Sequence, residues 1–471
     1  MRKRPPRRRH IVVATIAVMG LLLAACGDDT DETDTTVDEP DSEDTAVDEP
    51  DDADATEPED ETAAPGDSCD GQITQDEIEI WWHEGAESEV LAVQDFVDEF
   101  NASQDEVTAS LTLVPEADYA SALRGAAASG DLPDVIDTDA SFAFNYAWAG
   151  DLQPIGDCIP DELMDDLLPS IIEQGTYADR MWAVGMFDSG LGMYGVRSAL
   201  EDVGARIPEG PEDAWTIDEM DQVLADLRDA GFERPLDVKK NYGQGEYYSY
   251  LYQPFVWSAG TDVIADDFTT TDGYLNSSEA VEALTRFQAW HLDGYVDENE
   301  DDAAFVEGRT PLSMVGHWEF NRYSETFGDD LVLMPLPDFG AGTVSGQGSW
   351  QWAVSADSDA DAAWSFIEFT LQPEQSERMA EASGALPSRR SVAESTEKFG
   401  PGGPAELFRI QLEEGFTQPR APHPVYPTIS STFNQAIQEI IDGQDVQAAL
   451  DAAVATIDAD IEANEGYPPP A

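Results

Sequence analysis

The chain has 471 residues, 98 of them Asp or Glu and only 23 Lys or Arg, for a formal charge of −75 at pH 7. That balance excludes nucleic acid as a natural partner, because phosphate neutralisation needs clustered Lys and Arg, and it disfavours adhesion to anionic headgroups. Hydrophobic residues make up 41%, with 11 Trp, 14 Tyr and 19 Phe, so a substantial core is possible.

The chain opens with a basic stretch (Arg2, Lys3, Arg4, Arg7, Arg8, Arg9) that runs into an apolar segment, Ile11 to Ala25. The segment is too short to span a bilayer and ends in small residues of the kind a signal peptidase cuts after. Leu23-Ala24-Ala25-Cys26 resembles the bacterial lipobox, whose cysteine receives diacylglycerol and becomes the mature N-terminus. Residues 1–25 thus read as a lipoprotein signal peptide and Cys26 as the lipidated residue, on the extracellular face of the cytoplasmic membrane. The alternative is an ordinary signal peptide with an incidental cysteine. Loss of the leader's six basic residues leaves 17 against 98 acidic ones, a formal charge of −81, so lipid rather than charge would hold the protein to the membrane. Arg7-Arg8-Arg9 leaves both general and twin-arginine export open.

Residues 26–70 read as an acidic, disordered tether. From Gly27 to Asp67 there is almost no large apolar side chain, and Thr36-Val37-Asp38-Glu39-Pro40-Asp41 returns as Thr45-Ala46-Val47-Asp48-Glu49-Pro50-Asp51. Such a segment self-repels and cannot bury enough apolar area to fold. Cys69, at the entry to the folded part, and Cys158, in a Pro-containing turn, are permitted to pair in an oxidising exterior; two free thiols are the alternative.

Folding is expected from about Ile73. Ile78 and Ile80 alternate with acidic residues in a strand, and Val90, Leu91, Val93, Phe96, Val97 and Phe100 recur at helical spacing. Val107 to Val114 is a second strand, Tyr119 to Ala128 a helix, and Asp134 to Asp139 a third strand. This rhythm is that of a parallel α/β sheet. Trp215 to Ala230 carries a capping box, Thr216 with Glu219. Helices are also expected over 278–293, 360–371 and 445–462, and residues 463–471 as a loose tail. No second apolar run approaches membrane-spanning length.

Several segments, in this order and spacing, resemble the extracellular solute-binding proteins of ABC importers, in the carbohydrate-binding class that includes maltose-binding protein. They are Trp81-Trp82-His83 with Phe96-Val97-Asp98-Glu99-Phe100-Asn101, Leu132-Pro133-Asp134-Val135-Ile136 through Gln153-Pro154, Trp182 to Tyr194, Ala304 to Trp318, Gly384 to Arg389, and Ala436 to Gly443. The resemblance covers about residues 73–462 and departs at Tyr194-Gly195-Val196-Arg197, where many relatives read Tyr-Tyr-Asn-Lys. It implies an α/β fold of two lobes with several crossings between them and the ligand in the intervening cleft. The implied partition is 71–185 plus 306–352 for one lobe and 186–305 plus 353–462 for the other.

A sugar offers hydroxyls around apolar C–H faces, so its binder needs flat aromatic rings, carboxylates and amides. Trp82, His83 and Glu84 end the first strand, where open α/β sheets place ligands; of Trp81 and Trp82, alternation sends one to each side. Asp139 matches the position at which the family accepts sugar hydroxyls. Asp188 adjoins the first crossing, with a satisfied turn carboxylate as the alternative reading. Trp257, Trp318, Trp350 and Tyr426 complete the expected ligand set, each weighed against a place in the core; of Trp350 and Trp352, one is expected to stack on the sugar and the other to pack in the core.

No Gly-x-Ser-x-Gly elbow, His-Glu-x-x-His helix or Walker loop occurs, and the five histidines are far apart in sequence. The expectation is a monomeric, non-enzymatic receptor without cofactor or metal, passing a sugar or oligosaccharide to membrane permease subunits. The alternatives are a glycerol-phosphate or peptide binder on the same scaffold, and a secreted glycoside hydrolase using Asp137 and Asp139.

Overall fold

The computed structural model describes residues 68–469; the leader, Cys26 and the acidic tether up to residue 67 lie outside the described residues. The folded chain starts at Cys69, which is disulfide-bonded to Cys158 with the Cα atoms 5.2 Å apart. Next to it, the Asp361 carboxylate accepts the backbone N–H groups of Asp70 and Gly71, and Asp359 accepts that of Thr74 at 2.5 Å. Bridge and caps together pin the entering strand.

In strand β1 (Glu77–Glu84), Ile78, Ile80 and Trp82 point inward while Glu77 and Glu79 stay in water. Helix α1 (Glu87–Ser103) carries acidic residues in its first turn, favourable to the helix dipole, and buries Val93, Phe96, Val97 and Phe100. Strand β2 (Thr108–Pro115) pairs parallel to β1, helix α2 (Glu116–Ser129) ends at Gly130, and strand β3 (Val135–Asp139) pairs on the other side of β1. Helix α3 (Ala140–Ala149) follows at once, capped by the Asp139 side chain. The sheet order is β2-β1-β3, then Trp350–Ser355 antiparallel to β3, then Leu152–Gln153. This is the parallel α/β unit that the alternation of strand and helix patterns predicts.

A second sheet orders Leu236–Asp237, Leu312–Gly316, Leu191–Val196 and Leu331–Met334. Around it lie the helices Ile217–Asp229, which carries the expected Thr216/Glu219 capping box, Glu246–Ser258, Ser278–Leu292, Tyr426–Ile441 and Val446–Ala463. Crossings between the units run through Phe187–Asp188, which pairs with Leu386–Pro387, and through Ser345–Gln347, which pairs with Thr417–Pro419.

This pairing corrects the expected partition. Residues 312–334, placed with 71–185, pair with Leu191–Val196 in the second sheet. Trp350–Ser355 belongs to the first sheet, and the helices Ala360–Thr370 and Pro373–Ser383, placed in the second lobe, pack on α1. Apolar periodicity locates a strand but does not say which sheet receives it. The tail is also corrected over 463–469: Tyr467 is 6% exposed, its ring lies 4.8 Å from that of Trp148, and Trp148 Nε1 donates to Pro468 O at 2.9 Å. Burial of an aromatic ring holds what composition alone would leave loose.

Candidate ligand cleft

Along the line where the two units meet, side chains of both come together. Asp139, at the carboxyl end of β3, sets both carboxylate oxygens against Arg420, with Oδ1 2.9 Å from Nη2 and Oδ2 3.0 Å from Nη1. Arg420 Nη1 also donates to Glu246 Oε1 at 2.5 Å, and Tyr426 Oη and Ser430 Oγ donate to the same carboxylate. Glu246 sits in the first turn of Glu246–Ser258, where the helix dipole favours its charge. Burial pushes its carboxyl up, against the pull of Arg420. The guanidinium lies 4.9 Å from the centre of the Tyr250 ring.

Gly348 makes room for this arrangement. Its φ is +145°, and a Cβ there would stand 2.4 Å from Arg420 Nη2. Beyond it the units close to a cavity of about 10 Å³ between Ser141, Phe144, Gln174, Gly348 and Arg420. Further along, Phe142 of α3 meets Tyr426 edge to face at 5.5 Å, and Asn145 Nδ2 donates to Pro424 O at 2.8 Å.

Aromatic surfaces flank this ion-paired centre. On the second unit Trp318 is half-buried; its Nε1 donates to Tyr242 Oη, which donates to Glu319, and the rings of Tyr247 and Tyr250 lie within 6.4 Å of it. The indole folds back over Gly316, where a Cβ would stand 2.0 Å from the ring, so this position admits no side chain. The neighbouring His317 is buried, and that burial lowers its imidazole to about 3, so it stays neutral and donates Nδ1–H to Ser383 O. On the first unit Trp350, half-buried, stacks on His83 with ring centres 3.8 Å apart and 13° between planes. His83 in turn hydrogen-bonds Asp137.

The structure sorts the sequence-predicted set. Asp139 stands in the ion-paired centre, Trp350 is its strand partner, and Trp318 lies beside the Tyr250 ring that faces Arg420. Tyr426 and His83 are corrections, because Tyr426 is fully buried with its hydroxyl donated to Glu246 and His83 is buried behind Trp350. Trp82 is a correction: it is 1% exposed, its ring lies 4.9 Å from that of Trp352, and it belongs to the core. Trp81 takes the opposite face, as alternation requires, and its Nε1 donates to Glu79. Trp257 is likewise interior, donating Nε1–H to Asp262 at 3.0 Å. Asp188 is the satisfied turn carboxylate of the alternative reading, accepting from Gln174 Nε2, Ser189 N and Gly348 N at the crossing. Glu84 is exposed at the strand end. Sequence reasoning passed over Arg420, Glu246 and Tyr242, and within the aromatic stretch 247–257 it preferred Trp257 to Tyr247 and Tyr250. No local pattern marks Arg420, one of fourteen arginines beyond the leader, because its carboxylate partners lie 281 and 174 residues away.

Two α/β units with repeated crossings, meeting at a seam of indoles, tyrosines and carboxylates, define a bilobal solute receptor. Residues 95–399 match the model for bacterial extracellular solute-binding proteins, and the chain belongs to that family. It is 24% identical to the maltotriose-binding protein of Pyrococcus abyssi over 331 residues, 68% of each chain. Among solved structures it resembles the cyclic alpha-maltosyl-1,6-maltose binding protein of Arthrobacter globiformis, at 25% identity and TM-score 0.67, with 82% of this chain and 98% of that one covered. It also resembles the GacH receptor of Streptomyces glaucescens, at 18% identity and TM-score 0.70, with 84% and 100% covered. That receptor was crystallised without ligand and with acarbose. Among the described residues no helix is long and apolar enough to cross a membrane.

Proposed function

We propose that the protein is a lipid-anchored receptor that captures a sugar or short oligosaccharide between its lobes and delivers it, unaltered, to the permease of an ABC importer. The observation that carries this reading is the pair of half-buried indoles next to the polar Asp139–Arg420–Glu246 group: Trp350 of one unit, the strand partner of Asp139, and Trp318 of the other, beside the Tyr250 ring that faces Arg420. Rings of this kind take the apolar faces of a sugar and the polar groups its hydroxyls. Closure stabilised by ligand would present the surface that the permease recognises. Arg420 is already shared by two carboxylates, which disfavours the glycerol-phosphate reading.

The test is equilibrium dialysis of the full chain with labelled maltotriose and mannotriose, with chromatography of the recovered sugar. Saturable binding of intact sugar supports a receptor; cleavage products contradict it. Cys26→Ser should release the protein from membranes, and persistent detergent-dependent retention would contradict the lipid anchor.

A further inference from the structure

We propose that His83 and Asp137 are positioning residues: the Asp137 carboxylate fixes the imidazole between Trp82 and Trp350, so that Trp350 presents a steady outer face to the sugar. This deepens the sugar-receptor reading and rests on it.

The three rings form a column running outward from the core. Trp82 and His83 lie 5.0 Å apart at 28°, and His83 and Trp350 3.8 Å apart at 13°. Tyr119 of α2 closes one side, with its ring edge-on to both His83 and Trp350, and its hydroxyl donates to Trp81 O. An unsupported indole at a strand end has two soft dihedrals; here one face is covered and one edge is walled. Ring orientation in the plane is set by the hydrogen bond between His83 Nδ1 and Asp137.

The groups facing this imidazole come from three elements: Asp137, with Asp139 beyond it, from β3; Glu89 from α1; and Glu116 and Tyr119 from α2. Burial opposes a charge on His83, but the attraction and hydrogen bond of Asp137, with Glu89 and Glu116, outweigh it and raise the imidazole above its ordinary value. An imidazolium between two indoles gains further from the ring faces. Burial also lifts the Glu89 carboxyl to about 7, against the pull of His83. Because the imidazole is raised, the charged column persists through the ordinary imidazole range and is lost as pH rises beyond it.

The experiment follows ¹⁵N-imidazole signals of His83 in the sugar-free full chain, together with maltotriose affinity by calorimetry, between about pH 5 and pH 9. In the wild type, the His83 signal should titrate above the ordinary imidazole value, and affinity should fall as it does so. Asp137→Asn should move both transitions to lower pH and weaken affinity near pH 7 about tenfold, at unchanged circular dichroism. A wild-type His83 that titrates at or below the ordinary imidazole value, or a folded Asp137→Asn with unchanged affinity and pH profile, overturns the proposal. Should Asp137→Asn fail to fold, the wild type decides: affinity that does not follow the His83 titration overturns it. Should no sugar bind while the imidazolium and its dependence on Asp137 stand, the receptor reading falls and the column is supported.

Discussion

Arg420→Met is the perturbation that most clearly separates an inter-lobe ion pair from a surface contact. Arg420 is 4% exposed, and its guanidinium holds Asp139 from one unit and Glu246 from the other, at 2.9 Å and 2.5 Å. Methionine keeps much of the apolar stem but strands both carboxylates. Removing one partner of a buried pair costs about 3–5 kcal/mol, because the remaining charge is left uncompensated. Ser141 still donates to Asp139, and Tyr426 and Ser430 to Glu246, so a loss near 3 kcal/mol is expected. The pH dependence has a definite sign. Burial already pushes the Glu246 carboxyl up, and without the opposing pull of Arg420 it takes a proton at still higher pH. A carboxyl raised on folding destabilises when ionised, so the variant's deficit should shrink as pH falls from about 7 towards 4.5. Denaturant unfolding of wild type and variant at both pH values measures this. A deficit below about 1 kcal/mol, the range of exposed pairs, or one independent of pH, would refute the reasoning.

Trp318→Ala should weaken sugar binding by about 1–3 kcal/mol in calorimetry while the melting curve stays cooperative, since stacking area is lost from a half-buried ring. Unchanged affinity would remove Trp318 from the site. The double variant Cys69→Ser/Cys158→Ser opens a bridge between residues 89 apart in sequence and should lose roughly 4–5 kcal/mol of stability in denaturant titration. An equal midpoint for oxidised and reduced protein would show that the caps on Asp359 and Asp361 already suffice. Tyr467→Ala removes a buried ring and its contact with Trp148 and should cost about 2–4 kcal/mol, with faster proteolysis of the C-terminal segment. Wild-type proteolysis after Gly466 without loss of stability would mean that the tail is loose after all.

The elements were legible in the sequence where pattern is local. The alternation Glu77–Ile78–Glu79–Ile80, the Thr216/Glu219 cap and the spacing Val93–Phe96–Val97–Phe100 each name their structure, and each is found. The assignment of Leu312–Gly316 to a sheet was not legible, because strand pairing is a long-range choice that this five-residue segment, buried throughout, does not encode. At the cleft, Trp318 and Trp350 could be picked out as large rings beside crossings. The choice of Trp82 over Trp81 failed because period-two alternation gives the sides without saying which is the core. Arg420 was missed because its meaning lies in partners 281 and 174 residues away. Tyr467 shows the same limit, since composition marks the tail as loose but cannot see the indole of Trp148.

The central claim is tested most directly by a crystal structure of the full chain with maltotriose at saturation. An intact sugar lying between the two sheets, with its rings on Trp350 and Trp318, is the predicted result; a shortened sugar, or one seated away from both indoles, would contradict the account.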